Sequence, residues 1–398
     1  MLFKYCAENL IVSRLISAKD EYMKIGFTSD AVYPWNIGGL EALESTEAKE
    51  LAKNHEVHFF SLKWPGMEKD FIKDNIHYHT LHDITVENFY RHGRRSIREA
   101  LAYTIGLVRI FFYKFDYIQS NEFPILQIPI LKFYCMLTGC KLILDIHEVW
   151  DRKYWMSYLG GGVRGHLANA FSSYVLRMAD AYIANSSVTA QKLEGLGIKK
   201  DKIGLFSPVI NDKVLNSIKA GKVQKSAIFS GRLIKEKRVD KWLKVLKSAA
   251  KNAKGAKGII VGEGPERRSL ESMIRSMKMS NTVSLRGFYP EEEKAKLYRS
   301  IKESKALLQM SEREGLSIIV LESLFLGTPV LLPDYSPIPD EVKRMCIVRD
   351  EVSMSDTLAD MLNSPDKSKY IKNKEGLENF SVSSTNKFYG NLFRKLGE

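Results

Sequence analysis

The stretch Ser311-Glu-Arg-Glu-Gly-Leu-Ser-Ile-Ile-Val-Leu-Glu-Ser-Leu-Phe-Leu-Gly-Thr-Pro-Val330 predicts a loop that leads into a helix. A strand-like run precedes the stretch, and Gly327 followed by Pro329 predicts where the helix ends. A helix that begins at Ser317 points free backbone N–H groups and a positive dipole end at whatever lies in front of it. Such a helix start is typical of an anion site, and phosphate is the usual ligand.

Two carboxylates flank this predicted helix start. Glu314 comes before it and Glu322 lies inside the helix, so both are placed to hold hydroxyl groups on either side of a bound phosphate. An anion site beside groups that hold hydroxyls indicates a nucleotide-sugar. The same spacing also fits an ordinary amphipathic helix with two solvated glutamates, and a short motif alone does not separate the two interpretations.

Length and composition set the class of protein. The chain has 398 residues, of which 44% are hydrophobic, which predicts a globular protein of two or three domains. No apolar run approaches the roughly 18 residues that span a bilayer. The charged residues among positions 1–22 argue against a secretory signal, so we expect a dispensable extension there and a cytoplasmic location.

The cysteines and the net charge limit the partners. The four cysteines form no CxxC pair, which favours a reducing compartment and argues against structural zinc. A net charge of +13 favours nucleic acid, an anionic membrane or phosphorylated ligands, without choosing among them.

Short apolar runs alternate with helical patterns along the chain, which is the rhythm of parallel, doubly wound sheets. The predicted strands are Lys24–Thr28, Glu56–Ser61, Tyr117–Ser120, Lys141–Asp145, Ala181–Ala184, Lys202–Phe206, Ser226–Ser230, Lys257–Val261, Thr282–Arg286, Lys305–Met310 and Pro329–Leu332. We therefore predict two similar α/β domains. The predicted segments are an extension at 1–22, an acceptor-side domain at 23–207, a linker at 208–225, a donor-binding domain at 226–370, and C-terminal helices at 371–398 that cross back to the first domain.

Ligands of such domains bind beyond the carboxyl ends of the strands, so the loops that follow the strands carry the candidate chemistry. Gly38-Gly39 follows the first strand and permits close approach of a ligand to the backbone. After the strand that begins at Ser226, Arg232 and Lys237 are placed to clamp a diphosphate. No third glycine completes a dinucleotide fingerprint after Gly262-Glu-Gly264, and no Asp-x-Asp pair indicates a metal-chelated donor.

With these loops in place, the chain resembles the family-four retaining glycosyltransferases of GT-B fold from about Met23 to the C-terminus. Four segments carry the resemblance, in the family's order and approximate spacing: Phe229-Ser-Gly-Arg-Leu with Lys237, Val261-Gly-Glu-Gly-Pro-Glu, Val283-Ser-Leu-Arg-Gly-Phe, and Glu314-Gly-Leu-Ser with the run from Glu322 to Val330. The resemblance implies two facing Rossmann-like domains with a cleft between them. It also implies retaining transfer from a nucleoside diphosphate sugar to a glycan or lipid-linked acceptor, without a metal or other cofactor.

The resemblance implies roles for individual residues. Arg232 and Lys237 match the basic pair that neutralises the donor diphosphate. Glu322 matches the glutamate that holds the ribose, and Glu314 the one near the donor sugar hydroxyls. His147 matches a histidine near the transferred sugar. The other donor-binding residues implied are Gly38, Gly39, Gly231, Gly262, Gly264, Phe288, Gly315, Leu316 and Ser317.

Three departures from the family pattern affect the detailed contacts. Ser207-Pro208 stands where the family usually has Asn-Gly, and Arg238 follows Lys237 where glycine is common. Asp334-Tyr-Ser-Pro replaces a frequent Gly-Gly pair, which affects the expected contacts to the donor sugar more than the chemistry.

The sequence indicates the acceptor site less specifically than the donor site. Arg91, Arg94, Arg95 and Arg98 are spaced as one face of a helix, which predicts a peripheral contact with an anionic membrane and a lipid-linked acceptor. The apolar stripe of the same predicted helix is Ile97, Leu101, Ile105, Val108 and Phe112, and it also fits a helix packed on the first sheet. A second candidate is an aromatic cluster that either stacks on an acceptor sugar or fills the core. Its members are Trp150, Tyr154, Trp155 and Tyr158.

Two other functions fit parts of the sequence. A nucleotide-sugar epimerase uses a related two-domain architecture, although the Arg232 and Lys237 pair with Glu314 and Glu322 favours a transferase. A basic nucleic-acid-binding protein is allowed by the charge, but no nucleic-acid motif supports it, so no nucleic-acid partner is predicted.

Overall fold

A computed structural model describes residues 22–36, 39–85, 90–91, 94–159, 162–314, 316–372 and 376–397. The chain divides into two compact units. The first unit comprises Met1–Ile183, Glu194–Gly204 and Thr385–Glu398, and the second comprises Ala184–Leu193 and Leu205–Ser384.

The first unit is built on an eight-stranded sheet with the strand order β10-β9-β8-β7-β1-β2-β4-β3. Its strands are β1 (Lys24–Thr28), β2 (Glu56–Lys63), β3 (Phe71–Lys73), β4 (Ile76–Asp83), β7 (Tyr117–Asn121), β8 (Lys141–Ile146), β9 (Ala181–Ala184) and β10 (Ile203–Leu205). Strand β1 pairs in parallel with β2 and β7. Among the described pairings of this sheet, only that of the short β3 with β4 is antiparallel. A separate hairpin is formed by β5 (Tyr90–Arg91) and β6 (Arg94–Arg95).

Six helices and a 3₁₀ turn connect these strands or follow them. They are α1 (Gly39–Leu51), α2 (Ile97–Gly106), the 3₁₀ turn Leu107–Phe112, α3 (Gln127–Thr138), α4 (Arg152–Tyr158), α5 (Gly162–Leu176) and α6 (Ser187–Gly195). Most of α6, residues 187–193, belongs to the second unit. The last helix of the chain, α14 (Thr385–Gly397), belongs to the first unit, where it contacts α1.

The second unit contains a six-stranded, fully parallel sheet with the order β13-β12-β11-β14-β15-β16. Its strands are β11 (Gln224–Ser230), β12 (Lys257–Val261), β13 (Val283–Arg286), β14 (Ser304–Leu308), β15 (Val330–Pro333) and β16 (Ile347–Arg349). Its helices are α7 (Asp212–Ser217), α8 (Val239–Asn252), α9 (Arg267–Ser276), α10 (Lys294–Glu303), α11 (Ile318–Phe325), α12 (Asp340–Lys343) and α13 (Met354–Asn363). Hydrophobic clusters cover both faces of this sheet.

The predicted fold class is confirmed, because each unit is a Rossmann-like α/β domain on a largely parallel sheet. Each of the eleven predicted strands is present, within a few residues of the predicted bounds. The region predicted as a linker, 208–225, contains helix α7 and the first residues of β11. No helix in the described part of the chain is long and apolar enough to cross a bilayer.

Candidate functional site

Three glycines bring the loops after β11 and β12 together. The N–H of Gly231 donates to the carbonyl of Val261 at 3.1 Å, and Gly262 follows that residue with a φ of +147°. A Cβ at Gly262 would lie 2.0 Å from the carbonyl oxygen of Gly231. A Cβ at Gly264 would lie 2.4 Å from the carbonyl oxygen of Leu233. Only glycine fits this crossing, so these residues build the loops of the predicted donor site.

Lys237 and Glu314 form an ion pair across two loops of the second unit. Lys237 lies in a 3₁₀ turn after β11, and Glu314 lies between β14 and α11. The N–H of Glu312 donates to the carbonyl of Glu236 at 2.9 Å, which fixes one loop on the other. The two paired side chains keep 17% and 13% of their surface exposed. A cation with this restraint is pre-oriented, and it remains accessible to an anion.

Helix α11 begins where the sequence predicts it, directly after the loop that carries Glu314. Ser317 is the N-cap residue and is buried, and its side chain makes no capping hydrogen bond. The N–H of Val320 already donates to the carbonyl of Ser317 at 3.1 Å, so the earlier N–H groups of the first turn, at Ile318 and Ile319, are the ones placed for an anion. Leu316 is half-buried before this cap, and Gly315 lies outside the described residues.

Glu322 is held inside the second unit by a tyrosine that the sequence did not indicate. The hydroxyl of Tyr298, on α10, donates to Oε1 of Glu322 at 2.7 Å, and both side chains are buried. This hydrogen bond fixes the orientation of the carboxylate. The two residues are 24 positions apart on different helices, so no local pattern in the sequence points to their pairing.

The remaining residues predicted to bind the donor are divided between the two units. Arg232 is exposed directly after Gly231, and Phe288 follows β13 with 71% of its side chain exposed. Gly39 is the first residue of α1 in the first unit, and Gly38 lies outside the described residues.

Arg238 occupies the position where the family pattern usually has glycine, and its backbone is left-handed, with a φ of 49°. Its guanidinium forms ion pairs with Asp240 and Glu312. These contacts stabilise a conformation that is costly for a residue with a side chain.

His147 lies at the carboxyl end of β8 in the first unit, among carboxylates. Its Nε2 is 3.3 Å from Oδ1 of Asp145. Its backbone N–H donates to the carboxylate of Glu122, which directly follows the neighbouring strand β7. Burial disfavours a charged imidazole and lowers the pKa of His147. The carboxylates of Asp145, Glu122 and Glu44 favour the charged form more strongly, so the pKa of His147 is raised to about 10. His147 is therefore an imidazolium at neutral pH.

Helix α1 turns two further glutamates into the same region of the first unit. The amide of Asn121 donates to Glu44 at 2.9 Å, and that of Gln119 donates to Glu47 at 2.8 Å. Burial raises the pKa of Glu47 to about 8, and the charge of Asp145 adds to this shift. The Tyr389 hydroxyl donates to Oε1 of Gln119 at 2.6 Å and lies 2.9 Å from Oε2 of Glu47.

Sequence reasoning overlooked this carboxylate cluster. Glu122 and Asp145 stand at the carboxyl ends of two adjacent strands, which was a usable signal for functional residues. Glu44 and Glu47 are three residues apart and share one face of helix α1. A helix face with two glutamates normally predicts exposure to solvent, so the sequence did not indicate that these two residues are buried.

We expect the contribution of His147 to stability to depend on pH. Its folded-state pKa of about 10 lies above the ordinary 6.5, so its stabilisation is complete below pH 6.5 and is lost as the pH rises through 10. The melting temperature of His147→Gln should therefore fall below that of the wild type at pH 6.5, and the difference should shrink towards pH 10. His166→Gln, an exposed control on α5, should show a small and constant difference. A deficit in His147→Gln that does not change with pH contradicts the imidazolium assignment.

The predicted arginine stripe is wrong as a helix face. Arg91 lies in β5 and Arg94 and Arg95 lie in β6, where Arg91 pairs with Arg94 across the hairpin. Helix α2 begins only at Ile97, after the N-cap Ser96, so it carries Arg98 alone. The prediction rested on helical spacing alone and did not take account of Gly93, a residue of low helix propensity inside the predicted segment.

The four aromatic residues of the acceptor-side prediction pack against one another. Ring centroids of Trp150 lie 4.3 Å from Tyr154, 4.8 Å from Trp155 and 5.1 Å from Tyr158. Trp155 is buried, whereas Tyr154 keeps 42% of its side chain exposed. The cluster is thus partly core and partly surface.

The described residues contain no group of three or more His, Cys, Asp or Glu side chains arranged to hold a metal ion.

Family comparisons agree with the fold. The model described as "Glycosyl transferases group 1" matches residues 212–375, and the one described as "Glycosyltransferase Family 4" matches residues 37–213. The chain belongs to the group 1 glycosyltransferases of GT-B fold. These matches do not support the epimerase alternative.

Individual relatives are distant. The chain is 26% identical over 147 residues to the alpha-monoglucosyldiacylglycerol synthase of Acholeplasma laidlawii, a match that covers 37% of this chain and 32% of that protein. The chain thus spans about a third of the length of this curated relative.

Two solved structures share the fold over nearly the whole chain. HepE of Anabaena, solved in complex with UDP and glucose, has a TM-score of 0.62 at 13% identity and covers 94% of this chain and 100% of its own. The sucrose-phosphate synthase of Thermosynechococcus elongatus has a TM-score of 0.64 at 16% identity and covers 94% of this chain and 99% of its own.

Proposed function

We propose that this protein transfers a sugar from a nucleoside diphosphate sugar to a glycan or lipid-linked acceptor, with retention at the anomeric carbon and without a divalent cation. The observation that carries the proposal is the ion pair of Lys237 with Glu314 beside the start of α11. It brings a restrained cation to a helix start that attracts anions, within a chain of the glycosyltransferase family.

The chemistry follows from where charge develops. When the bond between the anomeric carbon and the diphosphate oxygen breaks, negative charge collects on the departing diphosphate. In this proposal Lys237 and the N–H groups at the start of α11 stabilise that charge, because they are oriented before the reaction begins. The exposed Arg232 adds a second positive charge. The same groups take the place that a bound metal ion has in metal-dependent transferases.

The carboxylates position the donor. Glu322, oriented by Tyr298, is proposed to accept hydrogen bonds from the ribose hydroxyls. Glu314 is proposed to serve both the sugar hydroxyls and the orientation of Lys237. His147 is the proposed contact to the transferred sugar, and its charge makes both ring nitrogens donors.

A lipid-linked acceptor is supported by the name of the relative from Acholeplasma laidlawii, which makes a glucosylated diacylglycerol. A donor with uridine diphosphate is supported by HepE, which was solved with UDP and glucose. We propose a cytoplasmic protein that acts at the membrane surface when its acceptor is a lipid, and no role in nucleic-acid binding.

A donor screen followed by product analysis tests this function. UDP-, ADP- and GDP-sugars are compared by thermal shift in EDTA, since a true donor stabilises the native state by mass action. The stabilising donor is then incubated with diacylglycerol and oligosaccharide acceptors, and the anomeric configuration of the product is read by NMR. Transfer with retention in EDTA is expected. An inverted product or a strict requirement for Mg²⁺ overturns the proposal, and conversion of the donor sugar without an acceptor indicates an epimerase.

A further inference from the structure

Helix α2 presents its apolar stripe to solvent. Ile97, Leu101 and Ile105 follow one another at a helical spacing and are exposed, whereas Tyr103 on the other side of the helix is fully buried. The 3₁₀ turn continues the exposed stripe, with Phe112 at 84% exposure. The helix does pack on the first sheet, against β4, but it does so through its other face, so the exposed stripe takes no part in that packing.

Helix α3 has the same arrangement. Phe133, Met136 and Leu137 lie on its outer face and are exposed, with Met136 at 73%. The opposite face, which includes Leu131 and Tyr134, is buried. Both faces of this helix are thus hydrophobic, although only one of them contacts the core.

Helix α5 adds a third outer stripe. Val163, Leu167, Phe171 and Tyr174 recur at intervals of three or four residues and are exposed, and Val175 is buried on the other side. A helix of 15 residues spans about 22 Å, so this stripe extends along several turns.

The three outer faces form one surface, which we call the apolar layer: α2, the 3₁₀ turn Leu107–Phe112, α3 and α5. The connections from β4 to β7 and from β7 to β8 run in the same direction across the sheet, so right-handed crossovers place α2 and α3 on one face. The rings of Phe111 and Phe133 lie 6.1 Å apart, and α5 contacts α3. Thirteen of the 24 large hydrophobic side chains exposed in the described part of the chain belong to this layer, a concentration typical of a docking surface.

The exposed charges of the apolar layer are positive. Arg98 on α2 and Arg164 on α5 are exposed, and Lys114 is exposed just beyond the 3₁₀ turn. The only acidic residue of the three helices is Glu99, which is buried. An apolar surface with cationic side chains at its border matches the acyl region and the anionic headgroups of a lipid bilayer.

A groove lies within the apolar layer. Val108, Phe111, Pro129, Ile130 and Phe133 line a cavity of about 470 Å³ between the 3₁₀ turn and α3. All five lining residues are hydrophobic, so the groove fits a hydrocarbon chain better than a sugar or a nucleotide.

We propose that the apolar layer docks on an anionic lipid bilayer, lying in the plane of the interface with the groove open to an acyl chain. A second copy of the chain fits less well, because the three helices offer no exposed acidic residue to pair with the cations of a partner layer. Docking itself does not depend on the sugar chemistry. Its consequence, delivery of the protein to a lipid-linked acceptor, rests on the proposed function.

Vesicle flotation of the full chain tests the docking. Vesicles of phosphatidylglycerol with phosphatidylcholine are compared with vesicles of phosphatidylcholine alone, in the absence of any sugar donor. The wild type should float with the anionic vesicles and bind the zwitterionic ones more weakly. A triple variant with Phe112→Ser, Met136→Ser and Leu167→Ser should bind at least about ten-fold more weakly, because three large side chains no longer enter the acyl region. The control variant carries Ile72→Ser, Val214→Ser and Val352→Ser, which are exposed residues outside the layer, and should bind like the wild type.

Sedimentation velocity of the same proteins completes the test. A monomeric wild type that floats supports docking. A wild type that does not float, or a triple variant that floats as well as the control, overturns it. A dimer that dissociates in the triple variant and does not bind vesicles also overturns it and assigns the layer to a contact between copies. Because no donor is present, none of these results bears on sugar transfer.

Discussion

Replacement of Lys237 by alanine is expected to lower kcat for sugar transfer by about 10²–10³-fold, with the fold intact. The loss of one oriented donor to a developing negative charge typically has this effect. The ammonium of Lys237 is held by Glu314 next to the start of α11, so its removal takes away a charge that is in place before the bond breaks. Steady-state kinetics with the identified donor measure the change.

The matched control for this variant is Lys235→Ala. Lys235 lies in the same 3₁₀ turn and is exposed, with the same charge and length. Its loss should change kcat less than about three-fold, in line with the small effects of surface charges. If Lys237→Ala turns over at the wild-type rate, or if both variants lose the same activity, the assignment of Lys237 to the leaving group is wrong.

Gly262→Ala is expected to destabilise the second unit by about 3 kcal/mol and to abolish donor binding. The new Cβ would lie 2.0 Å from the carbonyl oxygen of Gly231, and a backbone atom cannot give way as a flexible side chain can. The left-handed φ of +147° adds strain for any residue other than glycine. Scanning calorimetry and donor-induced thermal shifts measure the two effects.

Gly195→Ala is the control for the loop glycine. Gly195 ends helix α6, and a Cβ there meets no atom within 4 Å. The melting temperature of the Gly195→Ala variant should stay near that of the wild type. A Gly262→Ala protein that melts and binds the donor normally would show that the β11 and β12 loops do not cross as closely as described.

The fold could be predicted from sequence where a strand is a continuous apolar run. Strand β12 matches its predicted bounds because Gly258-Ile-Ile-Val is buried on both faces of a parallel sheet. Strand β4 was missed because His77, His79 and His82 interrupt its apolar pattern, although His79 is buried. A further polar residue of this strand, Thr80, is also buried.

The site could be predicted where its residues lie close together in sequence. The loop with Glu314 and the cap Ser317 were identified from turn and helix signals. The Tyr298 contact to Glu322, and the cluster around His147, depend on tertiary packing between distant segments, which short spacing patterns do not encode. The apolar stripe of α2 was recognised, but sequence spacing does not show whether a stripe faces the core or the solvent.

A calorimetric titration of the chain with UDP, ADP and GDP in EDTA measures whether the second unit holds a donor diphosphate. We expect one of these nucleoside diphosphates to bind without a metal ion, and we expect Arg232→Ala and Lys237→Ala each to weaken its binding at least about ten-fold while Lys235→Ala does not. Absence of binding for all three nucleotides, or equal binding by the wild type and both site variants, would contradict the claim that the second unit holds a donor diphosphate.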